Sequence, residues 1–167
     1  MENKNDWSVF RVRIDVHAPR EAVYAAWTTR TGMESWFLRE CIFYDAGGAD
    51  KEADSLATNG ETYSFRWFGY PDEVVETGTI LEANGTDRFG FSFGQAGNCT
   101  VLLETVRDLV LVTLEQTAIP DDDQGRMHWH VGCKTGWTFY LANLKSLLEG
   151  GIDLRNRDER LQNMLNS

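Results

Sequence analysis

Between Val9 and His17 apolar and polar side chains alternate. Phe10, Val12, Ile14 and Val16 fall on one face, and Arg11, Arg13, Asp15 and His17 on the other. A period of two with one wet face predicts an antiparallel strand. Ala18-Pro19 ends it, and Pro19 followed by Glu21 suits the first turn of a helix reaching about Trp27. Arg30-Thr31-Gly32 breaks that helix, and a second short helix at about 32–36 presents Met33, Trp36 and Phe37. Six more strands are predicted at 41–45, 61–68, 73–83, 88–93, 99–106 and 109–118. Asn59-Gly60, Tyr70-Pro71-Asp72, Asn84-Gly85 and Arg107-Asp108 punctuate them, the last two with room only for tight hairpin turns. Residues 46–58 are small and acidic and read as a mobile loop.

From about Met127 to Glu149 the period changes. His130, Cys133, Trp137, Leu141, Leu144 and Leu148 recur every three or four positions and define one stripe of a long helix, which Gly150-Gly151 caps. The charged stretch 152–167 keeps only Leu154, Leu161, Met164 and Leu165 as anchors and reads as a partly docked short helix. One strand, two short helices, six strands and one long helix make an α+β fold. A single helix cannot cover a flat seven-stranded sheet, so the sheet must curl around it. The expected organisation is one domain over 1–151 and a tail over 152–167.

Composition adds one question. Aromatic residues make up 12% of the 167 positions, with nine Phe, six Trp and five Tyr. Tyr63, Phe65 and Trp67 share one face of their strand, and Phe89, Phe91 and Phe93 one face of theirs. With Trp137 and Tyr140 from the helix they form either the wall of a small-ligand pocket or a plain aromatic core. Charge narrows the partners. Sixteen Lys+Arg against 26 Asp+Glu give a net charge of −10. Without a basic run this excludes nucleic acid and anionic membrane surfaces. No run of about 18 apolar residues predicts a membrane helix. The N-terminal stretch lacks an apolar signal core, and Cys41, Cys99 and Cys133 are odd in number and widely spaced, so free thiols in the cytoplasm are expected.

The element order and several local motifs resemble the START-like, or helix-grip (SRPBCC), superfamily. Within it the chain is most similar to bacterial single-domain homologues of the activator of heat-shock-protein ATPase. The residues carrying the resemblance are Ala18-Pro19 through Val23, Ala26-Trp27-Thr28, Trp36-Phe37, Gly60-Glu61-Thr62-Tyr63-Ser64-Phe65, Phe91-Ser92-Phe93, and Gly136-Trp137 with Leu141, Leu144 and Leu148. The eukaryotic activator has a further N-terminal domain for which this chain has no room, and 46–58 lacks family-like landmarks. The resemblance implies a cavity between sheet and C-terminal helix. Its expected lining is Trp36, Phe37, Tyr63, Phe65, Trp67, Phe89, Phe91, Phe93, His130, Cys133, Trp137 and Tyr140, with Trp36-Phe37 at the mouth or as a staple for the short helix. It also implies a heat-shock chaperone as a partner.

Reactive chemistry is sparse. His130 and Cys133 share a helical face, but no further His or Cys completes a zinc set, so neither metal nor cofactor is implied. His130 reads as a polar tip in the pocket or a satisfied core histidine. Glu104, Glu115 and Arg66 face inward only in particular strand registers. No nucleophile elbow, phosphate loop or dinucleotide fingerprint occurs. Asp121-Asp122-Asp123 reads as a solvated acidic turn. The leading expectation is a non-catalytic domain, monomer or homodimer, that binds a small apolar or aromatic molecule. A chaperone ATPase co-regulator is the first alternative. A cyclase- or hydrolase-like enzyme using His130 in the same cavity is the second.

Overall fold

A computed structural model describes residues 5–167, so the first four residues of the polar N-terminal stretch lie outside the described residues. The elements are β1 Phe10–Val16, α1 Arg20–Thr28, α2 Arg30–Trp36, β2 Glu40–Tyr44, β3 Thr62–Arg66, β4 Glu76–Ala83, β5 Arg88–Ser92, β6 Asn98–Val106, β7 Leu109–Thr117 and α3 Gly132–Leu148. The strands form one seven-stranded antiparallel sheet in the order β1-β7-β6-β5-β4-β3-β2. The predicted α+β architecture is present, with the C-terminal helix against the sheet. Between them lies a continuous core that includes Trp27, Trp36, Phe65, Phe91, Leu114 and Leu144, all buried.

Where elements differ from expectation, backbone chemistry gives the reason. The break between the short helices falls at Thr29, which is extended at φ −117° and ψ 154°. Its hydroxyl accepts the Gly32 amide at 2.9 Å and caps α2 two residues earlier than expected. β3 and β4 are shorter than predicted, and 67–75 is a loop. Gly69 takes a positive φ of 81° and Pro71 has no amide to give a ladder. The loop at 46–58 has no helix or strand, but it is held rather than free. The Ala57 amide donates to the Thr28 carbonyl at 2.6 Å, and Thr31 to Ala53 at 3.0 Å. Lys51 reaches both carboxylate oxygens of Glu61 at 2.7 and 2.8 Å.

The long helix is not uniform. Residues Gly125–Val131 form a π-helical segment before α3 begins. Asp122 caps the Gly125 amide at 2.7 Å and Asp121 pairs with Arg126 at 2.7 Å, so the acidic turn serves the helix start. Hydrogen bonds from i to i+5 widen each turn, and the three-four stripe drawn through His130 does not hold there.

The tail contains no helix, contrary to expectation, yet it is docked. Arg155 is buried and donates to the carbonyls of Leu38 at 2.9 Å, Glu34 at 2.9 Å and Ser35 at 2.8 Å. Asn143 of α3 donates to the Trp36 carbonyl at 2.8 Å and accepts the Leu154 amide at 2.8 Å. The orphan carbonyls ending α2 are therefore satisfied by remote side chains.

Candidate functional site

Alternation along each strand sorts the aromatic residues. Tyr63, Phe65, Phe89, Phe91 and Trp36 are buried in the core. Tyr63 stacks on Phe65 with centroids 3.8 Å apart, and Trp36 meets Trp27 at 4.6 Å. Gly78 makes room for this layer, because a Cβ there would lie 2.6 Å from the Tyr63 hydroxyl. That hydroxyl donates to the Ser92 carbonyl. The chain's own rings thus fill this part of the space between sheet and helix.

An open groove of about 380 Å³ lies at the other end of the same space. Six of the residues singled out in the sequence line it: Phe37, Trp67, Phe93, Cys133, Trp137 and Tyr140. Phe37 is the hinge between core and groove, 5.3 Å from Trp36, 4.8 Å from Trp137, 4.9 Å from Tyr140 and 5.7 Å from Trp67. Phe93 lies 6.2 Å from Trp67 and 6.1 Å from Trp137. The tail supplies an outer wall through Met164, Leu165 and Ser167, and the Tyr140 hydroxyl donates to the Ser167 carbonyl at 2.7 Å.

His130 is not part of this groove. Its Nδ1 lies 2.8 Å from the Trp7 carbonyl oxygen, and its ring packs edge-on to Trp7 at 5.0 Å and Phe10 at 5.3 Å. The π-helical turns rotate it toward β1, away from Cys133. An enzyme built on His130 in this space therefore has no geometric support. Glu115 and Glu104 sit on the outer face beside Arg11 and Arg13. The inward polar residue of β7 is its neighbour Gln116, fully buried. Gln116 accepts from the Trp137 indole at 3.0 Å and donates to the Ala96 carbonyl at 2.8 Å. This fixes the Trp137 ring that forms the groove floor. Burial pushes the nearby Cys133 thiol up, which keeps it a neutral wall.

Sequence reasoning missed several lining residues. Trp129 comes from the π-helical segment, and Val74, Tyr70, Met164 and Leu165 from loop and tail. Glu76 was the most legible omission. β3 pairs Phe65 with Glu76, and residues directly opposite share a face, so its carboxyl points where Phe65 points. Burial pushes that carboxyl above its usual range. A larger polar cleft of about 670 Å³ lies between the 68–72 loop and the tail. Its walls are mostly charged or amide side chains, with Phe68 and Tyr70 among them, and Tyr70 also lines the aromatic groove. Among the described residues, no three His, Cys, Asp or Glu side chains are grouped to hold a metal ion. Nor is any described helix long and apolar enough to cross a membrane.

Residues 17–149 match the family model described as activator of Hsp90 ATPase homolog 1-like protein. The chain belongs to that family. This activator-homologue-like chain shares its fold with the Aha1 dimer of Colwellia psychrerythraea, at a TM-score of 0.67 and 19% identity over 86% of this chain and 97% of that one. A Staphylococcus saprophyticus protein is similar at a TM-score of 0.67 and 21% identity, covering 88% and 96% of the two chains. An Hsp90 activator from Plasmodium falciparum is similar at a TM-score of 0.60 and 16% identity, covering 85% and 96%. Comparison with curated proteins finds no match. At these identities the solved structures speak for the fold, and the groove's chemistry must speak for itself.

Proposed function

We propose that this activator-homologue-like domain binds a small, largely aromatic molecule in the groove between β3, β5, α3 and the tail, without catalysis. The observation that carries this reading is the ring arrangement: Phe37, Trp67, Phe93, Trp137 and Tyr140 enclose about 380 Å³ that the chain's own side chains leave open. Pockets of this size, mostly apolar with few polar groups, suit small ligands. Burial keeps the Cys133 thiol in the groove neutral, the less nucleophilic form. The free thiols of Cys41, Cys99 and Cys133 favour a reducing compartment such as the cytoplasm.

The test is titration with N-phenyl-1-naphthylamine, a neutral aromatic dye that fluoresces in apolar sites. Saturable binding is expected, weakened about three- to tenfold by Trp67→Ala, since one aromatic contact is worth roughly 0.5–1.5 kcal/mol. Absence of saturable binding, or binding untouched by Trp67→Ala, would remove the reading.

A second reading follows from the family match: a contact with a heat-shock chaperone that alters its ATPase rate. Pulldown of the ninety-kilodalton chaperone, with ATPase turnover measured alongside, decides it. Neither capture nor a change in turnover would sink it.

A further inference from the structure

Glu76 is the only charged side chain among the described residues lining the groove. Its place is built by the sheet. Register with Phe65 turns it inward, and a Cβ on Gly94 would lie 2.5 Å from one of its carboxylate oxygens. Gly94, at a φ of +51°, thus lets the carboxyl tuck beneath the turn that follows Phe93. From there it is close enough to act electrostatically on the Tyr63 hydroxyl and the Cys133 thiol. It has no hydrogen-bonding or charged partner among the described residues, and burial alone governs it. Half-burying a carboxylate without a partner is costly.

Three ligand classes face this carboxyl differently. An anion would be repelled, because among the described residues no Lys, Arg or His lines the groove to offset Glu76. A neutral ligand would fill the space but leave the carboxylate unpaired. A cation would meet both Glu76 and the part-exposed rings of Trp67 and Tyr140, and aromatic faces attract cations within about 6 Å.

We propose that the groove selects an organic cation, an alkylated or aromatic ammonium ion, with Glu76 as counter-ion inside an aromatic box. This rests on the groove being a binding site. The probes are phenyltrimethylammonium and its neutral isostere tert-butylbenzene, each competed against bound N-phenyl-1-naphthylamine. The cation is expected to bind at least tenfold more tightly than the isostere. Glu76→Gln, close in shape, is expected to erase that preference, read as the ratio of the two probes' affinities in the same variant. Equal affinity for cation and isostere in the wild-type protein would overturn the proposal and leave the groove standing, as would a preference that survives Glu76→Gln. Failure of the dye itself to bind would instead overturn the groove, and the proposal with it. The comparison between the two probes needs no variant, so it stands even if Glu76→Gln folds poorly.

Discussion

Arg155→Met is expected to destabilise the protein by about 3 kcal/mol and to free the tail. The guanidinium is completely buried, and Met keeps its bulk without its donors. Three carbonyls, of Glu34, Ser35 and Leu38, at and just beyond the end of α2, lose their donor at once, and Asp153 keeps only Arg157 and Asn143 as side-chain donors. Breaking a buried, hydrogen-bonded pair from one side costs about 3–5 kcal/mol. The tail can lift away and rehydrate these groups, which holds the loss near the lower end. Thermal melting reads the stability, and limited proteolysis within 152–167 reads the tail. A melting point within a degree of wild type, with the tail still protected, would contradict this description of the docking.

The same clasp responds to acid. Partial burial pushes the Asp153 carboxyl up, but hydrogen bonds from Arg155, and then from Arg157 and Asn143, outweigh it and hold the group well below its ordinary 3.8. A carboxyl depressed in the folded state adds stability above its unfolded value and loses it as pH falls through the folded one. Tail protection is therefore expected to persist to about pH 4 and fade below it. Because Met164 and Leu165 wall the groove, dye affinity should change with it.

Trp36→Ala carries the second large effect, about 3–5 kcal/mol, or a fall of roughly 10 °C in melting temperature. Trp36 has no solvent exposure, donates its indole N–H to the Ala26 carbonyl at 2.9 Å, and separates Trp27 from Phe37. Its removal leaves a void behind Phe37. The filled interior and the open groove would then connect, and the dye should bind with altered affinity as well as lower protein stability. A loss under about 1 kcal/mol would mean that this part of the interior is not tightly filled.

How much of this was legible beforehand depends on which physical rule governed each residue. Strand alternation and turn chemistry are local, so β1, β6, β7 and the α+β order could be read directly. Whether aromatic faces met as core or groove could not, because Phe91 and Phe93 share a face yet one is buried and the other lines open space. Only packing against Tyr63 and Phe65 on one side, and the tail on the other, separates them. Gln116 and Glu115 differ by one register step, which no periodicity could assign. Of the two readings of His130, the satisfied histidine packed on Trp7 and Phe10 is the one found; the inward stripe could not place it, because its turn is π-helical and i to i+5 bonding leaves no mark in a three-four pattern. Arg155 was one more charge in a tail expected to dock only in part through its apolar anchors; its role depends on carbonyls more than a hundred residues away. Glu76 could have been found from its register with Phe65 had that pairing been traced.

The six tryptophans allow a direct test of the groove. Their indole N–H signals can be followed by NMR while N-phenyl-1-naphthylamine is added. Trp67, Trp129 and Trp137 line the groove, whereas Trp27 and Trp36 are sealed in the core and Trp7 lies beside His130. Binding in the groove predicts saturable shifts of the first three signals, with those of Trp7, Trp27 and Trp36 nearly unmoved. Shifts centred on Trp7, or six unmoved signals at dye saturation, would contradict it.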